Sequence, residues 1–311
     1  MRKFLTNIGI ALGILLCVAW IAGDRLTHLF RGGRTVKAQW QDKMHGEHFD
    51  VAIIGSSRGW WNIDMNAIRE KCGLRAGSLA NNHFRDPEVL LSLKVFLANG
   101  NRADHILMLV DHDNLSLEAD HFSSTVYDFL PYLEDSLVYA HLQPRSSEWT
   151  AMRYVPFWRY VVCNFKWGVE EALVTATDRC RPLFDSTGTY FSDPRFYGLD
   201  SISIRPSTYT VSSDLKEIVA LCKAQGIRLS FFTTPYYRLM VTPEVAAAPA
   251  AVIRAVGYEL HDYSMLFTWK DWFNDTKHIN IEGGKIFTAV LAREVICPTL
   301  ATDTTTTVEL P

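Results

Sequence analysis

The first feature of the chain is a block of apolar residues. From Phe4 to Gly23 only Thr6 and Asn7 carry polar side chains. A helix of roughly 20 residues at about 1.5 Å each spans about 30 Å, the depth of a bilayer core. Cys17-Val18-Ala19 would pass as a small-x-small signal-peptidase site,. The apolar run nevertheless continues through Trp20, Ile21 and Ala22, and a tryptophan at that end suits an interfacial anchor,. The pattern therefore predicts an uncleaved transmembrane anchor over 4–23, with the rest of the chain outside the cytoplasm. Residues 24–48 follow as a polar, basic juxtamembrane linker or helix.

Beyond the linker, apolar runs and helical spacing alternate. Val51-Ala52-Ile53-Ile54, closed by Gly55, reads as a buried strand,. Met65–Cys72 reads as a helix stopped by Gly73, and 74–80 as a weaker second strand. Asp86-Pro87-Glu88 predicts a helix start with Asp86 as cap, followed by Val89, Leu90, Leu93, Phe96 and Leu97 at helical spacing,. A third strand is expected over 105–110 and a fourth over 227–233, separated by a helix that opens on Asp214 and Glu217,. A helix between Pro243 and Gly257, a short strand near 258–263 and a last helix from about Asn280 complete the pattern.

Strands alternating with helices imply an α/β fold, a flavodoxin-like parallel sheet covered by helices on both faces. The domain is expected over 49–297, with a flexible tail over 298–311. The alternation breaks over 115–211, where Phe129, Tyr132, Trp149, Trp158, Phe165 and Trp167 suggest a helical, aromatic-rich insertion over the active rim, or else a satellite core under long loops.

Composition adds little that conflicts. The chain has 311 residues and a formal net charge of −3, which argues against a nucleic-acid partner,. Its six cysteines show no close pairing, so a zinc site is not expected; outside the cytoplasm, Cys163 and Cys180 could form a disulfide,.

In a parallel sheet, functional groups gather beyond the carboxyl ends of the strands. Ser57 follows the first strand, His112 and Asp113 the third, and Asp275 and His278 the fifth. A serine hydroxyl is a poor nucleophile until a base takes its proton, and an aspartate near the histidine orients the imidazole and stabilises its cation. That assigns catalytic roles to Ser57, His278 and Asp275. Arg58, Trp60, Trp61, His112 and Asp113 are candidates for substrate binding. Two other readings stay open. Asp111, His112, Asp113, Asp275 and His278 would also suit a divalent metal in a phosphoesterase. Ser56, Ser57 and Asp275 could simply cap turns.

The same residues resemble a known family. Gly55-Ser56-Ser57-Arg58 after a hydrophobic strand is similar to the nucleophile block of SGNH (GDSL-like) hydrolases, and Asp275-Thr276-Lys277-His278 followed by Asn280 and Gly283-Gly284 is similar to their terminal block. The resemblance implies Ser57 rather than Ser56 as nucleophile. It also implies an oxyanion hole built from Gly77 or Ala80 and an asparagine, with Asn81, Asn82 and Asn114 as candidates. The chain departs from the family at its third block, which reads Asp111-His112-Asp113-Asn114.

Together with the anchor, the resemblance narrows to membrane-anchored SGNH proteins of bacterial cell-surface polysaccharide acylation, such as those of teichoic-acid D-alanylation and exopolysaccharide O-acetylation. It implies an esterase or O-acyltransferase in the periplasm, without cofactor or metal. The implied partners are a surface polysaccharide or acyl donor and a membrane-bound O-acyltransferase. A protein with a degenerate triad that only binds glycan or assembles with such an acyltransferase is the alternative.

Overall fold

The structure is a computed structural model of the full chain. It describes residues 1–33, 36–112, 115, 121–155, 157–162, 170, 173–174, 176–177, 209–237, 243–267 and 269–297. The expectations for Asp113, Asn114, the Cys163–Cys180 pair and the tail from 298 lie outside the described residues.

In chain order the elements are α1 (Arg2–Gly32), α2 (Lys37–Lys43), β1 (His48–Ile54), α3 (Ser57–Trp61), α4 (Met65–Cys72), β2 (Ala76–Ser78), α5 (Asp86–Ala98) and β3 (Arg102–Leu109). A 3-10 helix, Ser124–Tyr132, leads to α6 (Ser136–Leu142), α7 (Glu148–Tyr154) and α8 (Trp158–Val162). Then come α9 (Ser213–Ala224), β4 (Arg228–Phe232), α10 (Pro243–Ala255), β5 (Leu260–His261) and α11 (Ile281–Leu291). They fall into two compact units, Met1–His45 with Val126–Phe184, and Gly46–Thr125 with Asp185–Pro311.

The second unit holds a five-stranded sheet in the order β2-β1-β3-β4-β5. Every pairing is parallel. This is the doubly wound order of flavodoxin-like proteins, in which the chain reverses its direction of travel at β1 and β3 and leaves a crevice at their carboxyl ends. Val51, Ala52, Ile53 and Ile54 are all buried, as a central strand covered on both faces requires,. The helices form two pairs, α4 against α11 and α5 against α9.

Local chemistry moved two helix starts. Arg85, not Asp86, is the N-cap of α5, because Glu88 at the third helical position accepts from the Arg85 N–H. Asp86 instead accepts from the Ser212 hydroxyl. Ser212 caps α9 by accepting from Leu215 N–H, so the expected Asp214–Glu217 start gives way to a residue upstream of it.

A disulfide that the spacing did not suggest joins Cys72, at the end of α4, to Cys297, 225 residues later. It fastens two elements already packed on one face of the sheet.

In the first unit, α1 runs for 31 residues and is long and apolar enough to cross a bilayer. None of its most apolar stretch is buried within the protein. The linker expected over 24–48 is largely helical: α1 continues to Gly32, and α2 folds back against it. Gln39 donates to the Phe30 carbonyl at 2.6 Å and Lys43 to the Gly32 carbonyl at 2.7 Å, closing the C-terminal end of α1,. The insertion is divided. Its described residues from Val126 to Thr177 belong to this same unit, where the Tyr160 hydroxyl lies 2.6 Å from Thr27 Oγ1, whereas those before Val126 and after Asp185 belong to the second.

Candidate functional site

The turn after β1 is set by Gly55. Its φ is +139°, and a Cβ there would come within 2.7 Å of Leu109 Cβ, so only glycine fits,. The chain leaves the sheet abruptly and Ser56 caps α3, accepting from Arg58 N–H at 3.4 Å. Ser57 becomes the first residue of that short helix and is half-buried at the carboxyl edge of the sheet.

The second component is a tight loop. Phe273 and Ile279 pair as an antiparallel bridge, and Asn274 N–H donates to the His278 carbonyl at 2.8 Å. Asp275 Oδ1 accepts from the backbone N–H groups of Lys277 at 2.7 Å and His278 at 2.8 Å. The same carboxylate lies 2.8 Å from His278 Nδ1 through Oδ2. Asp275 thus both caps its own turn and holds the imidazole. Burial alone would raise the Asp275 carboxyl, but the hydrogen bond and charge of His278 and the two backbone donors outweigh it. The carboxyl is held below the ordinary range and is ionised at neutral pH.

The two components meet: Ser57 Oγ lies 2.8 Å from His278 Nε2. With Nδ1–H donating to Asp275, Nε2 accepts from the Ser57 hydroxyl, which is the protonation pattern a general base needs. Residues 221 positions apart are thereby brought into hydrogen-bond contact.

Arg58, expected to contact substrate, does something else. It is 2% exposed, and every nitrogen of its guanidinium is engaged. Nε donates to the Lys277 carbonyl at 3.1 Å, Nη2 to the carbonyls of Thr234 at 2.5 Å and Pro235 at 3.1 Å, and Nη1 to Asp111. Its Cζ lies 3.4 Å from the centroid of the Tyr236 ring. Asp111 also accepts from the Ser56 hydroxyl and from Tyr236 Oη at 3.0 Å. Burial would raise the Asp111 carboxyl; the Arg58 charge and these donors overcome that and hold it below the ordinary range. The Arg58–Asp111 pair therefore ties the Ser57 turn to the ends of β3 and β4 and to the loop carrying His278. Asn62 adds a second tie, accepting from Ile279 N–H at 3.2 Å and donating to Thr234 Oγ1 at 3.1 Å.

The other candidates separate by position. Gly77 pairs with Ala52, deep in the sheet and against the Phe49 ring. Extending the register puts Ala80 level with Gly55, about 10 Å nearer the rim at roughly 3.3 Å per residue. Asn81 N–H donates to the Gly55 carbonyl at 3.1 Å, and Asn81 Oδ1 accepts from Asn82 N–H at 2.8 Å. Of the proposed oxyanion donors, Ala80 and Asn81 therefore flank the serine turn and Gly77 does not. Trp60 is buried, and Trp61 donates from Nε1 to Asn82 Oδ1 at 2.8 Å. His112 is 2% exposed, with Nδ1 3.2 Å from Tyr209 Oη, which places it in the packing rather than on an open surface.

Of the residues named for the metal alternative, Asp111 is committed to Arg58 and Ser56, and Asp113 lies outside the described residues. Among the described residues no group of three or more His, Cys, Asp or Glu side chains could hold a metal ion.

Sequence reasoning missed the positioning roles of Ser56, Asn62, Thr234 and Tyr236. The location of Thr234 and Tyr236 just past β4, on the predicted rim, was the available signal. No protein-family model matches the chain, and no curated protein matches it in sequence.

Proposed function

We propose that this chain is a serine esterase or O-acyltransferase of SGNH type, anchored by α1 and acting outside the cytoplasm on acyl groups of a cell-surface polysaccharide. The observation that carries the proposal is the contact between Ser57 Oγ and His278 Nε2 at 2.8 Å, with Asp275 on the opposite ring nitrogen. The Cys72–Cys297 disulfide supports the compartment, because such bonds persist in oxidising environments such as the periplasm,. The anchored arrangement favours a polymer at the membrane surface, supplied by or shared with a membrane-bound O-acyltransferase.

In this mechanism Ser57 Oγ attacks the acyl carbonyl carbon as His278 Nε2 takes the hydroxyl proton. The N–H groups of Ser57 and Ala80, with the Asn81 side chain, are the proposed donors to the oxyanion. Collapse of the tetrahedral intermediate breaks the ester bond, and the departing alcohol takes the proton from His278. The acyl group is left on Ser57. A second hydroxyl, from water or a sugar, then gives its proton to His278 and attacks the acyl-serine, releasing an acid or a new ester and restoring the Ser57 hydroxyl.

The test is covalent trapping of the full-length protein with a fluorophosphonate, followed by peptide mass spectrometry. Label is expected on Ser57, absent in Ser57→Ala and His278→Ala and reduced in Asp275→Asn. An unlabelled wild type with its disulfide intact would refute the enzyme and leave a glycan-binding or assembly protein. Label retained in His278→Ala would refute the assigned base.

A further inference from the structure

The first unit contains a cavity of about 580 Å³ that the chemistry at Ser57 does not use. One wall is a single face of α1, on which Trp20, Asp24, Thr27 and Arg31 recur at helical spacing; the other is the α7–α8 turn,. From Trp20 to Arg31 the helix rises about 16 Å at 1.5 Å per residue. Trp20 belongs to the apolar stretch, whereas Asp24 and the residues after it lie beyond that stretch. With α1 taken as the span, the cavity therefore opens at the depth of the lipid headgroups.

Its chemistry suits an anion. Three arginines line it, and Arg31 is occupied by Asp42, to which Nη2 donates at 3.2 Å. Arg159 is occupied by Glu134, to which Nη1 donates at 3.1 Å. Arg153 is different. Its guanidinium stacks over the rings of Tyr139 at 4.2 Å and Tyr154 at 5.4 Å, and donates only to the Glu134 backbone carbonyl at 3.5 Å. Among the described residues no carboxylate is in direct ion-pair contact with it, although, against burial, its charge helps, after Arg159, to hold the Glu134 carboxyl below the ordinary range. A planar, aromatic-stacked arginine is a preorganised partner for phosphate oxygens.

The surroundings suit a membrane. Tyr154, Val155, Trp158 and Val161 are between 42% and 67% exposed, an apolar group beside the end of a bilayer-length helix,. Between them Phe157 holds a φ of +62°, a conformation disfavoured for a bulky side chain,. Gly23 accommodates this turn: a Cβ there would lie 3.1 Å from Phe157 N.

We infer that this cavity binds the phosphodiester headgroup of an anionic membrane lipid, with Arg153 as its principal contact and the exposed rings of the α7–α8 turn set among the lipid headgroups. Headgroup retention does not require any chemistry at Ser57, so this inference and the proposed function fail separately.

The experiment is native mass spectrometry of the full-length protein released from nanodiscs of phosphatidylcholine alone or of an equal mixture with phosphatidylglycerol. Wild type is expected to retain phosphatidylglycerol in preference to phosphatidylcholine. Arg153→Gln should weaken that retention by roughly tenfold, the size of one charge-assisted contact. His28→Glu changes an exposed residue on the cavity wall and should weaken it similarly by repulsion, so a folding defect at position 153 alone does not decide the result. Equal retention of both lipids, or an unchanged preference in both variants, would overturn the inference. Displacement of the lipid by excess inorganic phosphate would also overturn it, because the site would then take its anion from solution.

Discussion

Replacing Arg58 with methionine tests whether the buried ion pair holds the serine turn in place. Methionine keeps the length of the arginine stem but removes the guanidinium, leaving Asp111 with only the Ser56 and Tyr236 hydroxyls as donors. The two side chains are 2% and 7% exposed, so water does not take over. Breaking a buried pair on one side costs about 3–5 kcal/mol, most of it the stranded charge. For a unit of about 200 residues, at roughly 2–4 °C per kcal/mol, Arg58→Met should melt about 6–20 °C below wild type. The double variant Arg58→Met/Asp111→Asn removes the stranded charge and should recover part of that loss, giving a coupling energy of about 1–2 kcal/mol. The deficit should also depend on pH. In wild type the depressed Asp111 carboxyl contributes stability that is present above its unfolded value and lost as pH falls through the folded one,. Without Arg58, burial alone raises that carboxyl, so mild acid protonates it and the gap from wild type should narrow between pH 8 and pH 5. Trapping of Ser57 should slow by about ten- to a hundredfold even where the variant is folded, since Nε no longer holds the Lys277 carbonyl beside His278,. Thermal melts of the full-length protein in detergent, read by near-ultraviolet circular dichroism, would check this. A single variant that melts like wild type, or a double variant no better than the single, would refute the argument.

Two further outcomes follow from groups away from the serine. The Cys72–Cys297 bridge closes a loop of 225 residues, worth about 5 kcal/mol in the chain-entropy account, so Cys72→Ser/Cys297→Ser should melt about 10–20 °C lower,. Equal melting of oxidised and reduced protein, with thiol labelling confirming reduction, would count against this. Burial pushes the Glu88 carboxyl up to about 7 despite hydrogen bonds from Ser123 and Arg85. Its folded value exceeds its unfolded one, so its contribution is fully present below about pH 4.5 and lost as pH rises through about 7, a change of about 3 kcal/mol. Melts at pH 5 and pH 8 should show that slope in wild type and a flatter one in Glu88→Gln; parallel slopes would refute it.

The parts of this protein that sequence made legible are those governed by local rules. Val51–Ile54 had to be a central strand because four successive apolar residues can be buried only where both faces are covered,. Gly73 at φ +67° marked the end of α4, and Asn280 capped α11 from its side chain, as residue type alone suggested,. The Asp275–His278 loop was legible because three residues of separation suffice for a carboxylate to reach the ring. What sequence could not supply depends on which strand ends become neighbours. Arg58 read as a candidate for substrate binding. It is buried because strand order puts the ends of β3 and β4 within reach of Nη1 and Nη2, while Nε reaches the Lys277 carbonyl in the loop that carries His278. Asp111 looked like a metal ligand for the same reason, since a carboxylate at a rim carries no local mark of the cation that will neutralise it. The disulfide joins cysteines whose proximity arises only from the packing of α4 against the C-terminal helix. Of the residues around the serine, the pair that contacts His278 was therefore visible in the chain, whereas the ion pair that aims it became visible only once the sheet was assembled. A substitution scan that took Arg58 for a substrate contact and Asp111 for a metal ligand would assign its losses to the wrong cause, because the pair ties the Ser57 turn to the loop carrying His278.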